Sequence, residues 1–171
     1  MNDTLRTMIA RYSLPTMWAL TLLVLLAACQ DRRADRAYLR DDYAKTAKEL
    51  EGLANLGDPR AQYNLAVLYD KGLGVAQSDA EALRWYTRAA EQGEPRAQYN
   101  LALMYMNGQG VEPNLVLAYY WMSLSVAQGN ANAPPARDYL SEKMTLAQIE
   151  EANKLVGQRL GKGLPPEVLH H

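Results

Sequence analysis

The chain has 171 residues, and its 18 lysines and arginines against 19 aspartates and glutamates give a formal net charge of −1. This balance argues against a nucleic-acid-binding protein, because neutralising phosphates requires a clustered basic surface. The sequence has one cysteine, and its two histidines are His170 and His171 at the end of the chain. It therefore offers no set of side chains for catalysis, a metal or a cofactor, and we expect a protein that is not an enzyme and takes no small-molecule substrate.

Residues 1–28 are predicted to be a signal peptide. Arg6 and Arg11 precede an uncharged stretch over residues 14–28, which is too short to span the roughly 30 Å hydrocarbon core of a membrane comfortably. The stretch ends Leu-Ala-Ala-Cys at Cys29, and this ending resembles the lipobox of bacterial lipoproteins. The resemblance implies cleavage before Cys29 and lipidation of its thiol. A signal peptide that ends in cysteine by chance, or an uncleaved anchor, is the alternative.

Residues 29–41 are predicted to be the lipidated cysteine and a solvated tether, because this segment is rich in charged side chains. The residue after Cys29 is Gln30, whereas aspartate at that position is typical of lipoproteins retained in the inner membrane. The resemblance to lipoproteins therefore implies an exported protein that is lipid-anchored in the bacterial outer membrane and faces the periplasm.

Residues 57–92 and 93–128 form an internal repeat. Sixteen of the 36 aligned positions are identical, including the unbroken run PRAQYNLA. In each unit, an apolar stripe that follows a proline and stops at a glycine predicts a first helix, and an A-x-x-W stripe predicts a second. The glycines of each G-x-G are interpreted as turn residues. A phosphate-binding loop would need a preceding strand and a third glycine.

Helices of the same array are predicted on both sides of the two units. Residues 42–56 fit the second helix of an incomplete preceding repeat, and residues 129–160 fit a degenerate repeat with a closing pair of helices. Thr145 and Gln148 form a T-x-x-Q capping box that predicts the start of the last helix. Residues 161–171 are expected to form a tail. Because each unit buries its core only against its neighbours, the flanking helices complete the fold.

The repeated A-Q-Y-N-L-A segment, the tyrosine after it, the G-x-G-V turn and the A-x-x-W stripe resemble the Sel-one-like repeat (SLR), a relative of the tetratricopeptide repeat. The resemblance implies an all-α fold, a short α/α solenoid of antiparallel helix pairs. It also implies that the first helices line a concave groove that binds a partner protein. The candidate partner-binding residues are Arg60, Tyr63, Asn64, Val67, Asp70, Lys71, Arg96, Tyr99, Asn100, Leu103, Met106 and Asn107.

Some of these candidates have a second interpretation. The tyrosines and asparagines belong to the repeat signature, so they would equally serve to brace adjacent helices. Arg60 and Arg96, together with the positions that differ between the units, are the stronger candidates for contact, since arginine is a common anchor at interfaces.

The second helix of the second unit is apolar nearly all round, with Leu115-Val116-Leu117 where the first unit has Asp79-Ala80-Glu81. More than one of its faces must therefore be covered. Either the closing helices bury it, or Val116, Tyr119 and Tyr120 leave an exposed interaction patch.

Together these features predict a non-enzymatic scaffold or adaptor lipoprotein of the bacterial envelope that binds another protein. Some small relatives resemble immunity proteins that neutralise a periplasm-acting secreted effector, such as a phospholipase, and this is the alternative form of the binding role. An enzyme acting on peptidoglycan or lipid is the remote alternative, because no histidine, cysteine or metal-ligand set converges in the sequence.

Overall fold

The computed structural model describes residues 41–161, and the predictions for the signal peptide, for Cys29 and for most of the tether and tail lie outside these residues. The described part contains seven helices and no strand. None of these helices is both long enough and apolar enough to cross a membrane. They are α1 (residues 41–55), α2 (Pro59–Lys71), α3 (Asp79–Glu91), α4 (Pro95–Asn107), α5 (Leu115–Ala127), α6 (Ala133–Glu142) and α7 (Leu146–Gly161).

Local chemistry determines where these helices begin and end. The carboxylate of Asp58 caps α2 by accepting hydrogen bonds from two main-chain N–H groups, each at 2.8 Å. Helices α2 and α4 end at Gly72 and Gly108, both in the left-handed conformation that favours glycine. The predicted capping box of α7 is present, with Thr145 N donating to Gln148 Oε1 at 2.9 Å and Gln148 N donating to Thr145 Oγ1 at 3.3 Å.

Helices α2 and α3 form one antiparallel pair, α4 and α5 form the next, and α3 packs against α4 to join the pairs. Buried alanine and tryptophan side chains lie in the core of the helix pairs: Ala82 and Ala118 are fully buried, and Trp85 is 1% exposed. Small side chains opposite large aromatic ones let the helices approach closely while filling the space between them. The all-α solenoid of helix pairs predicted from the sequence is confirmed.

The second glycine of each G-x-G turn lies against the start of a helix one unit earlier. A Cβ atom on Gly110 would lie 2.8 Å from the main-chain oxygen of Asp79, and one on Gly74 would collide with the main chain of Tyr43. Asp79 and Tyr43 are 36 residues apart, so α1 has the same relation to the first unit that α3 has to the second. Glycine is required at both positions because any side chain would meet the neighbouring main chain.

A ladder of glutamine side chains ties successive units together. Gln62 Nε2 donates to the main-chain oxygen of Ala54 at 3.0 Å, and Gln62 Oε1 accepts from Gln92 Nε2 at 2.7 Å. The same pattern recurs 36 residues later through Gln98 and Gln128, at 3.1 and 2.8 Å. Gln62 and Gln98 are buried, and a buried amide left without partners is costly. This explains the glutamine in the repeated AQYNLA segment.

The two closing helices each pack on α5, with little contact between themselves. The sequence predicted instead that they would pack as a pair. In the repeat register, Leu101 and Ala102 of α4 correspond to Arg137 and Asp138 of α6, which form an ion pair at 3.3 Å. Helix α6 therefore lacks the apolar face that would receive a second helix, and α7 packs on α5.

This arrangement favours the first of the two interpretations of α5. Val116, Tyr119 and Tyr120 are half-buried, and no large apolar side chain of α5 is exposed. Arg159 of α7 reaches across to the end of α3, where its Nη2 donates to the main-chain oxygen of Glu91 at 2.6 Å. The closing helices thus cover much of the apolar surface of α5 and leave part of it half-buried.

Candidate partner-binding groove

The first helices of the two units, α2 and α4, border an open groove of about 290 Å³, which Tyr86 reaches from α3. Seven of the twelve predicted contact residues line this groove: Tyr63, Val67, Asp70, Lys71, Asn100, Leu103 and Asn107. The other five lie outside its lining: Arg60 and Asn64 are exposed, Arg96 is also largely exposed, and Tyr99 and Met106 are half-buried against the core.

Three residues of the lining were not predicted as contacts: Tyr86, Met104 and Gln109. Met104 is buried and belongs to the apolar stripe of α4, and Gln109 is the middle residue of a G-x-G turn. Tyr86 was missed because the prediction confined the groove to the first helix of each pair. The only signal for it in the sequence is its mismatch with the aligned Met122, which marks a position where the units differ.

The two signature asparagines have different surroundings. Asn100 Nδ2 donates a hydrogen bond to the Tyr86 hydroxyl at 2.9 Å, and the ring of Tyr86 lies 5.9 Å from that of Tyr63. Asn100 therefore braces α4 against α3 while it also faces the groove. The residue 36 positions before Tyr86 is Leu50, which offers no hydroxyl, and Asn64 is exposed. The bracing interpretation thus describes Asn100 and does not describe Asn64.

The two signature arginines differ in the same way. Arg96 Nε donates to Glu94 at 2.7 Å, and its guanidinium lies 4.4 Å from the centre of the Tyr63 ring. The hydrogen bond to Glu94, which is 8% exposed, raises the pKa of Arg96 above its ordinary value. Asp58 is one methylene shorter than Glu94 and caps main-chain N–H groups, so Arg60 has no ion pair within residues 41–161. Arg96 is thus paired with a neighbouring carboxylate, whereas Arg60 is exposed and has no such pair within residues 41–161.

Known proteins share these repeats. The family model of the Sel1 repeat matches residues 59–94 and 95–130, with the period found in the sequence. The crystal structure of a Sel1 repeat protein from Oxalobacter formigenes is 30% identical with a TM-score of 0.50, and the match covers 61% of this chain and 91% of that one. The chain belongs to the Sel1 repeat family.

A second solved structure matches a larger part of this Sel1 repeat protein. It is a protective antigen present in uropathogenic Escherichia coli strains that displays an SLR fold. The match has 30% identity and a TM-score of 0.69, and it covers 75% of this chain but only 28% of the E. coli protein. A search of curated proteins found no match. Sel1 repeats typically mediate protein–protein interactions, which makes the groove between the two repeats the candidate binding site.

A second cleft, of about 540 Å³, lies away from the Sel1 repeat groove, between the start of α5 and α7. Its lining comes from Pro113, Asn114, Leu115, Val116, Leu117, Gln148, Glu151 and Leu155. In residues 41–161, no three histidine, cysteine, aspartate or glutamate side chains are grouped so that they could hold a metal ion. Seven of the twelve predicted contact residues line the groove between α2 and α4, and none of them lines this cleft.

Tyr86 is expected to make the stability of the Sel1 repeats sensitive to alkaline pH. Burial raises the pKa of Tyr86 well above its ordinary value, while the hydrogen bond from Asn100 lowers it in part. The unfolded chain loses the phenolic proton above about pH 10 and the folded chain retains it, so stability is present below that pH and is lost as the pH rises. Urea denaturation measures the free energy of unfolding at each pH. Between pH 9 and pH 11, this free energy is expected to fall by about 1.4 kcal/mol less in Tyr86→Phe than in the wild type. An equal fall in the free energy of unfolding of both proteins would contradict the role of Tyr86 in this pH dependence.

Proposed function

We propose that this chain is a non-enzymatic adaptor lipoprotein of the bacterial envelope and that the groove between α2 and α4 binds another protein. The observation that supports this most directly is the composition of the groove. Beside the identical PRAQYNLA runs, it collects positions that differ between the units, such as Val67 aligned with Leu103 and Lys71 aligned with Asn107. A partly apolar groove with polar neighbours is a typical binding site for the anchor residues of a protein partner.

Attachment to the membrane is proposed to occur through a lipid on Cys29. The support comes from the sequence over residues 1–29, with its basic start, apolar stretch and Leu-Ala-Ala-Cys ending. Each buried CH₂ group contributes about 0.8 kcal/mol, so several acyl chains hold a protein at a membrane far better than one. Gln30 after the cysteine supports the outer membrane as the location.

Replacing Cys29 with serine is expected to abolish lipidation. Wild-type protein from cells grown with an alkyne fatty acid should carry the label, partition into detergent and fractionate with outer membranes on a sucrose gradient. The variant should lack the label, because serine has no thiol to form the thioether. Labelling that persists in Cys29→Ser would contradict lipidation at this residue, and wild-type protein in the inner-membrane fraction would contradict the proposed location.

The binding role is tested by affinity purification of the tagged protein from detergent-solubilised envelopes, with mass spectrometry of what is recovered. A groove variant, Val67→Glu with Leu103→Glu, places two carboxylates in the partly apolar groove. It is expected to reduce recovery of a specific partner at least tenfold, which corresponds to about 1.4 kcal/mol of binding free energy. Arg96 is left unchanged, because its ion pair with Glu94 supports the fold.

The matched control is Leu56→Glu with Leu146→Glu, the same charge added at leucines that are 85% and 80% exposed. Circular dichroism and thermal melting verify that both variants fold. A partner that is recovered equally with both variants, or no partner at all, would contradict the binding role of the groove. An envelope component as partner supports the adaptor role, whereas a secreted effector such as a phospholipase would favour an immunity protein.

A further inference from the structure

The charged side chains that line the groove are already paired with each other. Lys71 Nζ lies 3.0 Å from Asp70 Oδ2, and no other residue of the lining carries a charge at neutral pH. Beside the groove, the guanidinium of Arg96 is held by the carboxylate of Glu94 at 2.7 Å. Within the part of the chain that the structure describes, the groove therefore offers no unpaired charge to a ligand.

The other lining groups are apolar or neutral. Tyr63, Val67, Leu103 and Met104 contribute carbon atoms, and all four pack in or against the hydrophobic core. A charged side chain entering this groove would lose hydration and gain no unpaired opposite charge, which is unfavourable. An uncharged side chain would instead gain free energy by removing apolar surface from water.

The size of the groove limits what enters it. A volume of about 290 Å³ is at the lower end of the range for small-ligand sites, roughly 300–1,000 Å³. The groove therefore accommodates one or two side chains of a partner, while the main chain of the partner lies outside it. A short segment that inserts an anchor residue fits this space.

Building on the binding role proposed above, we infer that the groove takes an uncharged aromatic or long aliphatic side chain from a linear segment of the partner. Val67 and Leu103, which face the groove from α2 and α4, form the contact for this anchor. Because the contact buries carbon and involves no charge pair, its affinity is insensitive to salt, which screens interactions between charges.

The test uses linear dodecapeptides displayed on phage, selected on the detergent-purified full-length protein. Fluorescence polarisation then measures the affinity of an enriched peptide at about 50 and 500 mM NaCl, concentrations that change the screening length severalfold. We expect the enriched peptides to share an uncharged aromatic or aliphatic residue. Its replacement with alanine should weaken binding at least tenfold, and the higher salt concentration should change the affinity less than threefold.

A groove-filling variant shows whether the peptide occupies this site. Leu103→Trp adds bulk without charge and is expected to weaken binding at least tenfold, whereas Leu146→Trp adds the same bulk at an exposed position and should leave binding unchanged. If Leu103→Trp does not fold, Val67→Phe narrows the groove from α2. Enriched peptides with a shared charged residue and a tenfold weaker affinity at high salt would overturn the inference while leaving the binding role intact.

A selection that yields no peptide dependent on Leu103 also overturns the inference. The affinity purification with Val67→Glu and Leu103→Glu then decides separately whether the groove binds a partner at all. Loss of the natural partner in that variant would keep the binding role and reject only the uncharged anchor.

Discussion

Replacing Gly110 with alanine is expected to lower the free energy of unfolding by about 2–5 kcal/mol. Gly110 has φ +68°, and its Cβ would lie 2.8 Å from the main-chain oxygen of Asp79 and 2.9 Å from the carbonyl carbon. The left-handed conformation costs an L residue about 1–2 kcal/mol, and overpacking adds about 1–3 kcal/mol. The first turn of α3 cannot move away without opening the interface between the units. Urea denaturation followed by circular dichroism measures the change.

The control for Gly110→Ala is Gly129→Ala, which separates the two costs. Gly129 has φ +80°, but no neighbouring atom lies within 4 Å of its Cβ position, so only the conformational cost applies, about 1–2 kcal/mol. Gly74→Ala should lower the free energy of unfolding at least as much as Gly110→Ala, because its Cβ would meet the main chain of Tyr43 and Ala44. Equal losses for Gly110→Ala and Gly129→Ala would contradict the close approach between units as the source of the effect.

Most of this fold could be predicted from the sequence, because its determinants are local and occur twice. The stripe of Ala82, Trp85, Tyr86 and Ala89, read from helical spacing alone, is 0–1% exposed in the structure. Prolines, capping side chains and left-handed glycines mark the helix ends where the sequence placed them. A second copy of the same pattern strengthens each of these predictions, because chance does not repeat at a fixed period.

The surroundings of the groove residues were less predictable, because they depend on differences between the copies. Asn100 is braced only because Tyr86 stands where the preceding unit has Leu50. Arg96 is paired because glutamate reaches its guanidinium from the cap position that aspartate occupies before Arg60. The first effect comes from a contact between helices, and the second comes from one methylene of side-chain length. The spacing of apolar residues along a helix encodes neither.

Helix α7 shows a different limit. The sequence predicted this helix and its capping box, but it did not predict that the helix packs on α5. Its packing depends on two features outside α7: the polar Arg137 and Asp138 on α6, and the apolar side chains all round α5. The sequence displayed both features, yet only the three-dimensional arrangement shows that the second compensates for the first.

Replacing Ala152 with aspartate is expected to release α7 from α5. Ala152 is the one residue of α7 that is fully buried. An aspartate there would bury a carboxylate against an apolar helix, at a cost of about 3 kcal/mol or more. Release of α7 would expose apolar side chains of α5, the helix on which it packs. We therefore expect a lower melting temperature, binding of the dye ANS, and self-association in light-scattering measurements.

The matched control is Ala147→Asp, the same substitution at an exposed position of α7. Ala147 lies in the first turn, where negative charge favours the positive end of the helix. The free energy of unfolding of Ala147→Asp should stay within about 0.5 kcal/mol of that of the wild type. If Ala152→Asp matched this control in stability and dye binding, α7 would not be what covers α5.

The reason that α5 requires this cover is visible in α3. There Arg84 and Arg88 place their guanidinium groups 4.5 and 4.8 Å from the centre of the Trp85 ring, so α3 shields its own aromatic side chain with cations. The aligned residues of α5 are Tyr120 and Leu124, which offer no charge to solvent. Helix α7 therefore belongs to the fold and not to the groove. We expect Ala147→Asp to retain the partner fully and Ala152→Asp to lose it only in proportion to the folded protein that it loses.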